Sequence, residues 1–167
     1  MSFNGWKKVK IEEIGFVVTG KTPSSKTPDH FGDIIPFVTP TDFKNYHKKI
    51  YSADRYLSKK GKEGLNGKVL PPNSVVVTCI GSDMGKVALN SVECVTNQQI
   101  NSIIPYEGKV DANFLFYTIS NMYEYLKQLA RGGTTMPILN RSTFKQINIQ
   151  LPSIPEQKAI AATLSLT

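Results

Sequence analysis

The 167-residue chain predicts an α/β (α+β) fold: a single domain with a mixed, mostly antiparallel, irregular sheet and peripheral helices. Three observations carry that expectation. Short β-branched runs, above all Val75-Val76-Val77-Thr78, alternate with turns rich in glycine and proline. From Leu115 to Leu129, apolar residues recur at spacings of three and four, the period of a helix. A chain of this length with 40% hydrophobic residues suits one globular unit that can bury a real core.

Taken in order, Trp6, Val9, Ile11 and Ile14 make a short amphipathic start compatible with strand or helix. Gly20 to Ser25 is a polar, turn-rich loop. Ile34 to Val38 predicts a short strand ended by Pro40, and Pro36 within it points to an edge or a bulge, because proline has no N–H to give a ladder. Thr39 to Asp42 is another loop. Lys44 to Lys68 reads as short strand and helix. It holds Lys44, Lys48, Lys49, Arg55, Lys59, Lys60, Lys62 and Lys68 against Asp54 and Glu63, so six of the net +7 charges lie there.

After Leu70-Pro71-Pro72, the continuous apolar run Val75 to Ile80 predicts a strand buried on both faces. The polar turn Gly81 to Lys86 follows, with Gly81 and Gly85 free to take backbone angles other residues resist. Val87 to Leu89 returns as a second strand. Asn97-Gln98-Gln99 sets three consecutive amides between apolar Val95 and Ile100. Asp111 is a good N-cap for one helix that carries Leu115, Ile119, Met122, Leu126 and Leu129 and ends at Arg131-Gly132-Gly133. Ile147, Ile149 and Leu151 alternate like a half-buried strand, Pro152 stops it, and Pro155 opens a last helix.

The net charge of +7 and pI near 9.4 favour an anionic partner: nucleic acid, an acidic protein or a membrane surface. No apolar run approaches the ~20 residues that span a bilayer. Met1 to Lys10 lacks the apolar centre of a secretory signal, so a cytoplasmic protein is expected. Cys79 and Cys94 sit in apolar surroundings and read as reduced core residues. With His30 and His47 they show no paired metal-ligand spacing, and no metal is expected.

Two short motifs match by letter and fail by context. Gly15 to Thr22 fits the phosphate-binding P-loop pattern, but Pro23 and Pro28 follow where a helix must open. The expected structure there is a polar turn. Asp29, Asp42 and Lys44 resemble the acidic magnesium site of many restriction nucleases, yet Pro40 separates Asp42 from the strand that should carry it. No Ser–His–Asp or Cys–His arrangement is suggested.

The ordered set of remaining motifs resembles one family. Trp6, Gly20-x-Thr22-Pro23, Ile35-Pro36-Phe37-Val38 and Asp42 resemble the opening of a type I restriction–modification target recognition domain. Leu70-Pro71-Pro72, Gly85-Lys86-Val87-Ala88 and Asn97-Gln98-Gln99 resemble its middle. Thr134-Thr135, Ile149-x-Leu151-Pro152 and Glu156-Gln157 resemble its end.

The resemblance implies a non-catalytic specificity subunit that chooses a DNA sequence. In that family two recognition domains, separated by long antiparallel helices, each read half of a bipartite site. A modification subunit methylates adenine, and a translocating endonuclease subunit joins. S-adenosylmethionine, ATP and magnesium are then expected on those partners and no cofactor on this chain. Residues 1–152 would be the recognition domain, and 153–167 the start of the spacer helix. A second recognition domain, or a homodimer through that helix, would complete the particle; a half-subunit, a truncated gene and an excised domain all remain open.

On this reading Lys21 and Lys86 contact phosphate, and Thr22, Ser24, Ser82, Asp83, Asn97, Gln98, Gln99, Arg131, Thr134 and Thr135 are candidate base readers, with Thr41 and Lys44 also on the DNA. The bland readings stand beside these. Asn97 to Gln99 instead satisfy buried backbone groups, and Gly132-Gly133 only cap a helix. Two other functions stay open: a nuclease using Asp29, Asp42 and Lys44, and a basic protein-interaction module.

Overall fold

Residues 5–45, 48–130 and 136–167 are described by the computed structural model. In chain order they form β1 (Lys7–Lys10), α1 (Ile11–Ile14), β2 (Gly15–Thr19), β3 (Phe31–Gly32), β4 (Ile35–Val38), β5 (Lys49–Ile50), β6 (Tyr56–Leu57), α2 (Lys59–Gly64), β7 (Val75–Thr78), β8 (Val87–Asn90), β9 (Val95–Thr96), β10 (Ile100–Pro105), α3 (Ala112–Ser120), α4 (Tyr123–Ala130), α5 (Arg141–Lys145), β11 (Asn148–Leu151) and α6 (Ile154–Leu164). Short 3₁₀ turns cover Pro28–His30, Pro40–Asn45 and Asn66–Lys68.

The irregular sheet is divided in three. A five-stranded sheet has the order β2-β10-β7-β8-β5, a four-stranded one β3-β6-β4-β9, and β1 pairs with β11. All pairings are antiparallel except β4–β9 and β5–β8. The fold is thus the mixed, mostly antiparallel α/β domain expected from the sequence.

β7 is the centre. It lies between β10 and β8, and its three valines are fully buried. Alternation divides them: Val75 and Val77 join the main core with Leu115, Ile119 and Phe144, while Val76 faces a second cluster with Leu70, Ala88 and Cys94. That is why the run reads as continuously apolar. The strand stops at Thr78, two residues before the expected Ile80. Thr78 turns its hydroxyl to the next turn, donating to Asp83 O and accepting from Lys86 N at 2.9 Å. The Cys79 N–H leaves for Gln99 O at 2.7 Å, and Ile80 bridges Ile138 instead.

Other expectations change in instructive ways. The uncertain N-terminal stretch is both strand and helix, β1 then α1, with Ile11 and Ile14 in the core. Gly15 to Thr19 is neither P-loop nor polar turn but strand β2, and no helix follows it. β2 is a sheet edge, and the Arg141 guanidinium covers it by donating to Val17 O at 2.8 and 3.1 Å. Pro36 is not on an edge strand, because β4 lies between β6 and β9. The bulge lies just before it, where Ile34 and Phe37, three apart, donate to Leu57 and Arg55, two apart, while Pro36 stays in register with Tyr56.

The single helix expected after Asp111 is two, α3 and α4, parted at Asn121-Met122. Asp111 caps α3 as expected, accepting from Phe114 N at 2.9 Å. The Ser120 hydroxyl donates to Phe116 O at 2.7 Å at the last residue of α3, and Met122 N then takes the tighter bond to Ile119 O at 3.0 Å. The apolar stripe survives the break, since Leu115, Ile119 and Leu126 are fully buried. At the end of the chain, Ser153 and Glu156 form a capping box for α6, with Pro155 in its first turn. Buried Gln157 ties α6 to α3, accepting from Asp111 N at 2.8 Å and donating to Pro152 O at 2.9 Å.

Candidate nucleic-acid interface

One end of the two larger sheets gathers the loops that follow β2, β4, β7 and β9. The joints are hydrogen bonds. Gly20 N donates to Ile100 O at 3.2 Å, Lys21 N to Thr96 O at 2.9 Å, and Asn97 N to Val38 O at 3.1 Å. The Thr22 hydroxyl donates to the Gln98 side-chain carbonyl at 2.6 Å. Gln99 O accepts from Cys79 N, and Gly81 N reaches Pro137 O at 3.1 Å. Gly20 makes the seam possible: a Cβ there would lie 2.1 Å from Asn97 O and 2.3 Å from Thr96 O. Lys21, Thr22, Gln98, Gln99 and the Gly81 turn, far apart in sequence, therefore share one surface.

Within that surface the candidates differ in what they have free. Lys21 is exposed and has no ion pair among the described residues. Gln98 is exposed and uses its carbonyl on Thr22, which leaves its NH₂ donors outward. Ser82 is exposed too. Asn97 is not: it is buried, accepts from Gln99 N at 3.0 Å and donates to the Gln99 side-chain carbonyl at 2.9 Å. Of the two readings for the amide triplet, the backbone-satisfying one holds for Asn97. Asp83 and Lys86 are bound to each other at 2.6 Å, so Lys86 shares its charge with a neighbouring carboxylate where Lys21 does not. Ser24 accepts from Lys26 N at 3.2 Å in a local turn, and Thr41 shares a 2.7 Å hydrogen bond with Thr39. Lys44 is exposed. Arg131, Gly132, Gly133, Thr134 and Thr135 lie outside the described residues.

The nuclease reading is overturned. Asp42 is buried and accepts from Thr39 N at 2.7 Å through one oxygen and Asp54 N at 2.9 Å through the other, so its carboxylate closes a turn. Asp29 is an exposed partner of Lys60, whose hydrogen bond holds its carboxyl below the usual aspartate value. No three His, Cys, Asp or Glu among the described residues are placed to hold a metal.

Much of the charge between Lys44 and Lys68 serves packing. Lys62 pairs with Glu93 at 2.8 Å, Arg55 stacks 4.1 Å over the Phe31 ring, and Lys48 lies 4.5 Å over the Tyr117 ring. Lys44, Lys49 and Lys59 stay exposed. Both cysteines are buried, and burial pushes the Cys79 thiol up to about 11 and the Cys94 thiol to about 12. No described helix is long and apolar enough to cross a membrane.

Sequence reasoning missed Tyr123, whose ring lies against Gly85, and Asn101, buried beneath the loops. Asn101 accepts from the Thr19 hydroxyl at 2.6 Å and donates to Leu139 O at 3.1 Å. A lone tyrosine and a lone asparagine carry no pattern, and only the fold brings them under these loops.

A mixed α/β domain that presents one loop-built surface flanked by lysine is the class that fold and geometry define. The chain belongs to the type I restriction modification DNA specificity domain family, whose model matches residues 4–166. It is 36% identical over 163 residues to the type I restriction enzyme MjaIX specificity subunit of Methanocaldococcus jannaschii, covering 96% of this chain and 37% of that protein. It is 38% identical over 151 residues to the HindI specificity subunit of Haemophilus influenzae, covering 89% and 32%. The chain thus spans about a third of the length of these curated relatives. The fold is shared with the HsdS subunit of Thermoanaerobacter tengcongensis, with a TM-score of 0.73 at 20% identity over 97% of this chain and 37% of that one. A chain from a structural study of type I R-M complex assembly gives a TM-score of 0.77 at 19% identity, covering 99% and 39%.

Proposed function

We propose that this chain is a DNA target-recognition domain of a type I restriction–modification specificity subunit and reads one half of a bipartite duplex site without catalysing a reaction. The observation that carries the reading is the Thr22–Gln98 seam, which sets uncommitted amide donors beside an unpaired lysine at one end of the sheet. That pairing suits duplex DNA: lysine holds phosphate and fixes register, while N–H donors meet base acceptors in the major groove. Lys21, Thr22, Ser82, Gln98 and Gln99 are the contacts favoured here, with Ser24, Thr41 and Lys44 at the margin. Asp83 and Lys86 act as a pair, and Asn97 braces its loop.

The covalent work belongs to companions. A modification subunit with S-adenosylmethionine would flip and methylate the target base, because its reactive atom is unreachable inside the stack. A restriction subunit would supply the ATP- and magnesium-dependent steps. Residues 1–152 would be the recognition domain, and α6, within 153–167, the start of the spacer that joins a second recognition domain or a second copy. The setting would be the cytoplasm.

Selection from a pool of randomised duplexes at fixed salt tests this. Enrichment of one short sequence by the purified chain, or by the chain with its modification subunit, supports it. Binding with no enriched sequence in either case favours a basic protein-interaction module.

A further inference from the structure

Gly85 takes φ +91°, and a Cβ there would lie 2.7 Å from Tyr123 Cδ2 and 3.0 Å from Cε2. The Tyr123 ring therefore rests directly on the backbone of the Gly81–Lys86 turn. One turn further along α4, the Lys127 ammonium lies 4.8 Å over the same ring and holds its attitude. The turn is fixed from two other sides as well. Gly85 N donates to Thr78 O at 2.7 Å, Lys86 N donates to the Thr78 hydroxyl at 2.9 Å, and Met84 is buried in the core. Tyr123 is the third support, the one that comes from outside the sheet.

We propose that Tyr123 is a positioning residue for sequence choice: by bracing Gly85 against α4 it fixes where Ser82 and the Asp83–Lys86 pair present themselves to a duplex. The proposal rests on the DNA reading above and deepens it. A base-edge hydrogen bond weakens steeply with small displacements, whereas a lysine–phosphate contact tolerates them. Tyr123 is neutral, so its loss releases no counterion and leaves the salt dependence of binding alone. Lys21 sits on a different loop, and its grip does not depend on the brace.

The test uses the full chain as wild type, Tyr123→Ala, Tyr123→Phe and Tyr123→Leu. Leucine keeps an apolar side chain on α4 without a flat ring, which covers the case in which alanine unfolds the helix. The probes are a duplex enriched by the wild type from a random pool and a scrambled duplex of the same composition. Tyr123→Ala and Tyr123→Leu are expected to narrow the ratio of the two affinities by about three- to tenfold, the size of one aromatic packing contact. The affinity for the scrambled duplex and its salt slope stay within twofold of wild type. Tyr123→Phe restores the ratio, since the ring face and not the hydroxyl meets Gly85. Amide exchange without DNA gives a second readout: Gly85 and Lys86 exchange faster in the alanine and leucine variants and not in Tyr123→Phe. A wild-type ratio in both non-aromatic variants overturns the proposal. A wild type that enriches no sequence, alone or with its modification subunit, overturns the DNA reading and the proposal with it, while exchange at Gly85 still reports whether the brace exists.

Discussion

Replacing Gly20 by alanine inserts a methyl group where the structure has no room. The new Cβ would lie 2.1 Å from Asn97 O, 2.3 Å from Thr96 O and 2.3 Å from the Thr96 hydroxyl. Two of these are backbone atoms of the neighbouring loop, so no side chain can swing aside. The loop after β2 must move away, and the Lys21 N to Thr96 O bond, now 2.9 Å, is lost. Overpacking of this kind costs ~1–3 kcal/mol. The broken backbone bond adds ~0.5–1.5 kcal/mol. A loss of about 2–4 kcal/mol lowers Tm by about 5–15 °C in a domain of this size. Gly67→Ala is the matched control, because its Cβ meets nothing within 4 Å. It should stay within ~0.5 kcal/mol of wild type. Thermal unfolding by circular dichroism and urea titration measure both. A Gly20→Ala variant as stable as Gly67→Ala would refute the close seam between these loops, and with it the shared surface.

Three further outcomes follow from the same structure. Asp42→Ala leaves the part-buried Thr39 and Asp54 amides without their carboxylate acceptor, at ~0.5–1.5 kcal/mol for each hydrogen bond lost; urea titration checks this, and a stability equal to wild type would contradict the turn-closing role. Cys79 and Cys94, with thiols pushed up to about 11 and about 12, should resist a thiol reagent at pH 8 in the folded chain and react within minutes in denaturant. Asp29, Glu12 and Glu156 are held below their usual values, mainly by hydrogen bonds from Lys60, Gln146 and Ser153 respectively. A depressed carboxylate contributes stability above its unfolded value and loses it as pH falls through the folded one, so Tm should be level to about pH 5 and fall below about pH 4.

Local chemistry made much of the fold legible. The valine run of β7, the Asp111 cap, the alternation in β11 and the turn glycines Gly81 and Gly85 each follow from a few adjacent residues. What stayed hidden depends on partners distant in sequence. β4 reads as an edge strand until β9, more than fifty residues later, pairs with its second half. The break after Ser120 is a local tightening, with Met122 N bonded to Ile119 O, which the apolar stripe does not record. At the site, Lys21 and Thr22 were visible as polar loop residues beside Gly20, and Gln98 and Gln99 as amides set between apolar Val95 and Ile100; the structure brings them together. Lys86 and Asp83 were visible as well, but their mutual pairing is a matter of geometry. Asn97 illustrates the same limit: sequence shows an amide, and only burial tells whether it faces inward.

The most direct measurement is amide-exchange footprinting of the full chain with and without a duplex it enriches. Protection is expected at Lys21, Thr22, Gln98, Gln99 and Gly81 to Gly85, with β1, β11 and the opposite end of the sheets, where Ile34 and Val92 line one groove, unchanged. Protection confined to β1, β11 or that opposite end would contradict the shared surface.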